Sequence, residues 1–163
     1  IDDHPAESVE IGAQGGFDPA TLLRPRIPAA DVAGAAETVP LVALAWARSG
    51  DKADMFNVGV IAREAAWLPY ISAALSEDRV ADLYRFTTAD GAPPPVRRFD
   101  APGFHCINLV VSNALGGGQT SGMRLDPNAK GMAQRLLAMP VMVPSDIAQL
   151  ATAQMRALRF PAL

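Results

Sequence analysis

Residues 104–111 (FHCINLVV) form the most strand-like segment in this 163-residue chain, and they constrain its fold most. The segment is apolar enough to be a central strand, which needs neighbouring strands on both sides. Other strand-like segments lie at residues 41–48, 57–63, 96–100 and 141–143, and segments with helical spacing lie at residues 64–76, 78–84, 126–139 and 146–158. Strands and helices alternate too unevenly for a parallel doubly wound sheet. The pattern therefore predicts an α+β fold, with one mixed or antiparallel sheet and helices on one face.

Composition argues against several classes of protein. The single cysteine, Cys106, rules out an internal disulfide and a cysteine-only zinc cluster, and with only two histidines we expect no His-rich metal site. The longest apolar run, residues 41–47, is far shorter than the roughly 20 residues of a membrane span. A net charge of −3 argues against nucleic acid as the main partner. Residues 1–10 are acidic and polar, unlike a signal peptide, so we expect a cytoplasmic protein.

The first forty residues differ from the rest of the chain. They carry seven acidic and two basic residues, five prolines and four glycines, whereas residues 41–163 have ten acidic and twelve basic residues. Because proline fixes φ and disfavours helix before it, residues 1–40 are predicted to be an extended arm or a linker. Two interpretations stay open: a flexible linker, or an ordered arm that packs on another domain or subunit. Residues 41–163 would form the α+β domain with its closing helix.

A polar segment, RSGDKAD at residues 48–54, follows a predicted strand and precedes Asn57. It concentrates charged groups at the end of that strand, where they can form a network or orient an anionic ligand. The alternative is a plain turn, in which an aspartate caps its own backbone and Lys52 is solvated. Composition alone favours the plain turn, and the anion-orienting interpretation stays open.

A glycine-rich segment, LGGGQTSG at residues 115–122, follows the predicted central strand. Its backbone N–H groups could form an anion nest together with Arg124 and Lys130, or the glycines could serve a tight loop that needs positive φ. It is not a phosphate loop, because Met123 and Arg124 stand where lysine and serine or threonine are required. Asp126 and Pro127 are then predicted to start a helix, as N-cap and first helical residue.

The usual catalytic motifs are missing from this sequence. It contains no GxSxG and no HExxH. His105 and Cys106 are neighbours on a predicted strand, so their side chains should point to opposite faces and make a poor nucleophile–base pair.

Two motifs resemble those of a known family. Residues 47–52 (ARSGDK) with residues 57–63 (NVGVIAR) are similar to the ARSGDKGD…NIGVIAR signature of the AtuA-like (acyclic terpene utilisation) family, and residues 115–118 (LGGG) with residues 124–130 are similar to its LGGGgt…LRLDPqgK signature. The resemblance covers residues 41–143. The sequence departs from the pattern at Ala53, where glycine is usual, at the bulkier Met55 and Phe56, and at Gln119, which interrupts the glycine run.

The resemblance implies a bacterial protein with a small C-terminal, ferredoxin-like domain: a mainly antiparallel α+β sandwich, fused behind a larger AtuA domain or encoded separately. It implies a component of a catabolic enzyme that acts on a branched or terpene-derived acyl-CoA or carboxylate, with hydration or lyase chemistry as an option and a site shared with the larger domain. A non-catalytic assembly module, or a small-molecule-binding module, is the alternative. In each case we expect an oligomer or complex.

The resemblance also suggests site residues. The catalytic candidates are Asp51, Lys52 and Asn57. The ligand-binding candidates are Arg48, Ser49, Gly50, Gly116, Gly117, Gly118 and Arg124. An acyl-CoA is the candidate substrate, and no cofactor or metal is expected to be built in.

Overall fold

The computed structural model describes residues 16, 18–34, 37–118 and 120–157. Its strands are β1 (Glu37–Pro40), β2 (Ala45–Lys52), β3 (Met55–Ala62), β4 (Val96–Ala101), β5 (Cys106–Val111) and β6 (Pro140–Val143). Its α-helices are α1 (Leu41–Leu44), α2 (Leu68–Ala74), α3 (Glu77–Leu83), α4 (Met132–Leu137) and α5 (Ser145–Ala157). Within the described ranges, no helix is both long enough and apolar enough to span a membrane.

The main sheet has four strands in the order β2-β3-β5-β4, and every pairing is antiparallel. It consists of two hairpins, β2–β3 and β4–β5, joined through their second strands. The predicted α+β fold with antiparallel strands is confirmed, and β5 lies in the interior of the sheet as its composition predicts. A separate two-stranded sheet, which the sequence analysis does not anticipate, pairs β1 with β6.

The first strand of the main sheet begins later than predicted. Residues 41–44 form the helical turn α1, and β2 starts at Ala45. Leu41, Ala43 and Leu44 are all buried. A strand would turn Ala43 and Leu44 to opposite faces, whereas a helical turn lets all three side chains reach the core.

The helices cover one face of the main sheet. On that face Phe56, Val58 and Val60 of β3 are fully buried and belong to one core with helix residues such as Ile71 and Leu136. We call the opposite face the open face. Its outward positions are Trp46, Arg48, Gly50 and Lys52 in β2, Met55, Asn57, Gly59 and Ile61 in β3, Arg97, Phe99 and Ala101 in β4, and Cys106, Asn108 and Val110 in β5.

Part of the predicted arm packs on the domain. Ile27 is buried, its N–H donates to Asp100 Oδ2 at 2.7 Å, and its carbonyl accepts from Ser72 Oγ at 2.9 Å. The predicted boundary at residue 40 coincides with the end of β1, which pairs with β6. Much of the arm (residues 1–15, 17, 35 and 36) lies outside the described residues.

The prediction that a helix starts at Asp126 is wrong. Helix α4 begins only at Met132, and Asp126 closes a turn instead: Oδ1 accepts from Lys130 N and Oδ2 from Gly131 N, both at 2.8 Å. Ala129 has φ 53°, in the left-handed region, which interrupts any helix through the segment. Asp126 therefore stabilises a loop by accepting backbone hydrogen bonds, and it is not an N-cap.

Candidate functional site

The β2–β3 hairpin brings the first polar segment to the corner of the main sheet. Its strands are joined by Ala53 and Asp54, and Ala53 has φ 54°. Two-residue hairpin turns favour positive φ at their first central position, which glycine adopts without strain. The glycine that is usual at this position in the AtuA-like signature thus has a backbone reason, and Ala53 adopts the same conformation at a cost.

The glycine-rich loop packs directly against this hairpin. Asp54 Oδ1 accepts from Leu115 N at 3.1 Å and from Gly117 N at 2.9 Å, and Asp54 O accepts from Ala114 N at 2.9 Å. A Cβ on Gly118 would lie 2.9 Å from the carbonyl carbon and oxygen of Ala53, so a larger residue would force the two segments apart. The polar segment and the glycine-rich segment, joined by a hydrogen bond between residues 61 positions apart, therefore form one corner of the structure.

Arg124 fastens the glycine loop from its other side. Its Nη2 donates to the carbonyl of Thr87, and a Cβ on Gly116 would lie 3.3 Å from its Nε. With two loop N–H groups held by Asp54, the loop is a braced structural element in this conformation. Gly116, Gly117, Gly118 and Arg124 thus lie together beside the hairpin.

Strand alternation separates the candidate residues of the first motif. Arg48, Gly50 and Lys52 project from the open face, whereas Ser49 and Asp51 project from the face under the helices. Ser49 is buried: its Oγ donates to Ala129 O at 2.5 Å and accepts from Ala133 N at 2.9 Å. Asp51 and Lys52 therefore do not face a common site on this chain, and Ser49 serves to attach β2 to the segment before α4.

A recess of about 340 Å³ lies on the open face at the edge formed by β2. We call it the basic recess; it is lined by Arg48, Ser49, Gly50, Lys52, Asn57, Gly59 and Lys130. A Cβ on Gly50 would lie 3.3 Å from Lys130 Nζ, so the end of the Lys130 side chain lies close over the Gly50 backbone. Asn57 is the cross-strand partner of Gly50 and donates from Nδ2 to Asn108 Oδ1 at 2.9 Å.

The cations of the basic recess have no acidic partners in the described part of the chain. The ion pairs found there join Arg26 to Glu77, Arg85 to Asp82 and Arg98 to Asp100. Arg48, Lys52 and Lys130 are all exposed, and Lys52 Nζ donates to its neighbour's carbonyl, Asp51 O, at 3.0 Å. Unpaired cations around a concave surface attract anions.

The family model of the AtuA ferredoxin-like domain matches residues 39–142. The chain belongs to this family. The match includes both motifs and the whole main sheet, and it confirms the resemblance drawn from residues 41–143. Comparisons with curated proteins and with solved structures found no match.

The sequence places Lys130 only beside the glycine loop, as part of a possible anion nest, whereas in the structure of this AtuA ferredoxin-like domain it lines the basic recess. It appears in the second motif, but its contact with Gly50 depends on the long-range attachment of Ala129 to Ser49. The sequence contains no signal that would place Lys130 beside Gly50.

Cys106 and His105 form no catalytic pair. His105 has φ 50° and precedes β5, and Cys106, on the open face, is half-buried. Burial raises the pKa of the Cys106 thiol, which disfavours the reactive thiolate. Across the described ranges, no group of three His, Cys, Asp or Glu side chains could hold a metal ion.

Proposed function

We propose that this AtuA ferredoxin-like domain supplies an anion-holding wall to an AtuA-type catabolic enzyme that acts on a branched or terpene-derived acyl-CoA or carboxylate. One observation carries the proposal: Lys130, from the second motif, lies over Gly50, between Arg48 and Lys52 of the first. Nothing in either motif alone would gather three cations at one recess.

The chemistry of the recess suits a carboxylate or a phosphate. Charge-assisted hydrogen bonds from arginine and lysine to such groups are roughly twice as strong as neutral ones. Lys130 Nζ lies close over the backbone of Gly50, and Asn57 lies directly across from Gly50 with its amide fixed by Asn108. In this proposal Arg48, Lys52 and Lys130 bind the anion, and Asn57 orients it.

The recess is open to solvent on its outer side, so a second wall is needed to enclose a substrate. We infer that a larger AtuA-type domain or subunit covers the recess and supplies acid and base groups for hydration or lyase chemistry. Asp51 projects from the opposite face of β2 and is not assigned a role in this chain's part of the site.

Calorimetric titration of the full chain with coenzyme A, isovaleryl-CoA and isovalerate tests the proposal. We expect Lys52→Gln and Lys130→Gln each to weaken binding about tenfold, the loss expected for one charge-assisted hydrogen bond. The matched control is Arg156→Gln on α5, an exposed arginine far along the chain from both motifs. Equal affinity in the wild type and both lysine variants would reject the assignment, and reconstitution with the larger component should give the same ranking in turnover.

The open face favours a second candidate, a non-catalytic assembly module. Trp46, Ile61 and Phe99 expose 53%, 47% and 38% of their surface there, and no carboxylate projects from this face. Such a patch is typical of a protein–protein contact.

Light scattering tests the open face as the surface of this contact. The double variant Trp46→Ser with Ile61→Ser should lose assembly with the larger AtuA-type component, whereas Leu150→Ser, a comparably exposed control on α5, should keep it. If the double variant assembles like the wild type, the open face is not the contact surface.

A further inference from the structure

A second concave surface lies at the opposite edge of the main sheet, where the arm crosses β4. We call it the arm pocket; its volume is about 290 Å³. Residues 22–26 of the arm form one side, and Arg97–Asp100 of β4 with Glu77 of α3 form the other. None of these residues lines the basic recess, which lies at the β2 edge.

A buried ion pair holds the base of the arm pocket in place. Arg98 Nε donates to Asp100 Oδ1 at 2.6 Å, and the two side chains are 7% and 0% exposed. Asp100 Oδ2 also accepts from Ile27 N at 2.7 Å, which fixes the arm at the rim of the pocket. Because each group of the pair is hydrogen-bonded, the pocket is formed before any ligand arrives.

The charge balance of the arm pocket is positive. Four arginines line it, at positions 24, 26, 97 and 98, against two carboxylates, Glu77 and Asp100. Both carboxylates are engaged: Asp100 with Arg98, and Glu77 with Arg98 N at 2.8 Å and Arg26 at 3.5 Å. In the described ranges, Arg24 and Arg97 form no ion pair.

The same pocket exposes apolar surface beside these cations. Leu22 is 50% exposed, Leu23 is 91% exposed and Phe99 is 38% exposed. An alkyl chain bound against these side chains would remove their apolar surface from water, which favours binding. Apolar walls with a few placed charged groups are the usual composition of a small-molecule site.

We propose that the arm pocket binds a small amphipathic carboxylate. The alkyl chain would lie against Leu22, Leu23 and Phe99, and the carboxylate would pair with Arg24 and Arg97. The matched family domain spans residues 39–142, so half of this pocket comes from chain outside the family domain. The proposal does not depend on the basic recess.

Calorimetric titration of the full chain with octanoate tests this site. Octanamide, which lacks the charge, and acetate, which lacks the alkyl chain, are the matched probes. In the Lys52→Gln background, which weakens the basic recess, we expect one octanoate per chain and affinities for octanamide and acetate that are at least about tenfold weaker, as loss of a charge-assisted contact or of buried apolar area requires. In this background Arg97→Gln and Leu22→Ser should each weaken octanoate binding by a similar factor, and the control Arg156→Gln should leave it unchanged.

Thermal melting distinguishes a loss of binding from a loss of folding, and mapping of amide chemical shifts shows where octanoate binds. Arg97 and Leu22 are exposed, so both variants should melt close to the wild type, and octanoate should shift amide signals of residues 22–27 and 97–100. The proposal is overturned by no binding at millimolar octanoate in the Lys52→Gln background, by equal affinity for octanamide, or by Arg97→Gln and Leu22→Ser binding octanoate as tightly as that background. Because the amide shifts and the Arg97 and Leu22 variants report on the arm pocket, and Lys52 belongs to the basic recess, either site can fail without the other.

Discussion

Asp54 is the residue on which the corner between the hairpin and the glycine loop depends. Its Oδ1 accepts two backbone hydrogen bonds, from Leu115 N at 3.1 Å and Gly117 N at 2.9 Å. Asp54→Ala removes the one oxygen that accepts both bonds and leaves the N–H of Leu115, a buried residue, without its partner. At about 1–1.5 kcal/mol for each bond, the upper part of the range for an ordinary hydrogen bond because Gly117 is exposed, we expect the free energy of unfolding to fall by about 2–3 kcal/mol.

Chemical denaturation followed by circular dichroism measures this loss. For a chain of this size the melting temperature should fall by about 5–10 °C. Asp51→Ala is the matched control, since Asp51 lies in the same hairpin and accepts no side-chain hydrogen bond in the described ranges, and surface substitutions of this kind change stability by about 0.5 kcal/mol or less. Asp54→Asn keeps one acceptor oxygen and should fall between the two.

The same variants test whether the β2–β3 hairpin and the glycine loop form one structural unit. If Asp54→Ala destabilises the protein no more than Asp51→Ala, the hydrogen bonds to the glycine loop are not formed in solution, and the two motifs are not one structural unit.

Three further predictions concern the backbone, the arm and the thiol. Ala53→Gly should stabilise the protein by about 0.5–1 kcal/mol, since it relieves a positive φ, whereas Ala153→Gly, inside α5, should cost about 1 kcal/mol; denaturant unfolding measures both. Asp100→Asn should cost about 3–5 kcal/mol and make the arm sensitive to protease, because it leaves buried Arg98 without its counter-charge, while exposed Asp146→Asn should do neither. Alkylation of Cys106 should rise with pH at a higher midpoint in the folded protein than in urea, because burial raises the thiol pKa; equal midpoints would contradict this.

Much of the main sheet could be predicted because its pattern is local. Alternating burial in Cys106–Val111 and Met55–Ala62 follows directly from apolar residues at every second position. The start of β2 could not be predicted, since a short apolar run fits a helical turn and a strand equally well. The small sheet of β1 and β6 was missed because its strands pair across about a hundred residues of chain.

The site shows the same division between local and long-range information. The sequence already contained the signal that separates Asp51 from Lys52, because neighbours on a strand face opposite ways. It contained no signal for the hydrogen bonds of Ser49 to Ala129 and Ala133, which join residues 80 and 84 positions apart. These bonds decide where Lys130 lies, and therefore where the cations gather.

Ser49 and Asp54 give the first motif a role that its charges alone would not suggest. Asp54 holds the glycine loop, and Ser49 holds the backbone that carries Lys130, so both ends of the second motif are attached to the β2–β3 hairpin. Ser49→Ala should then weaken anion binding at the basic recess without removing any group that touches the ligand. If Ser49→Ala instead unfolds the corner but leaves the affinity of the folded fraction unchanged, Lys130 reaches the recess by its own flexibility and the attachment only stabilises the fold. The two outcomes differ because affinity and stability are measured separately, which makes Ser49 the most direct probe of how the two motifs cooperate.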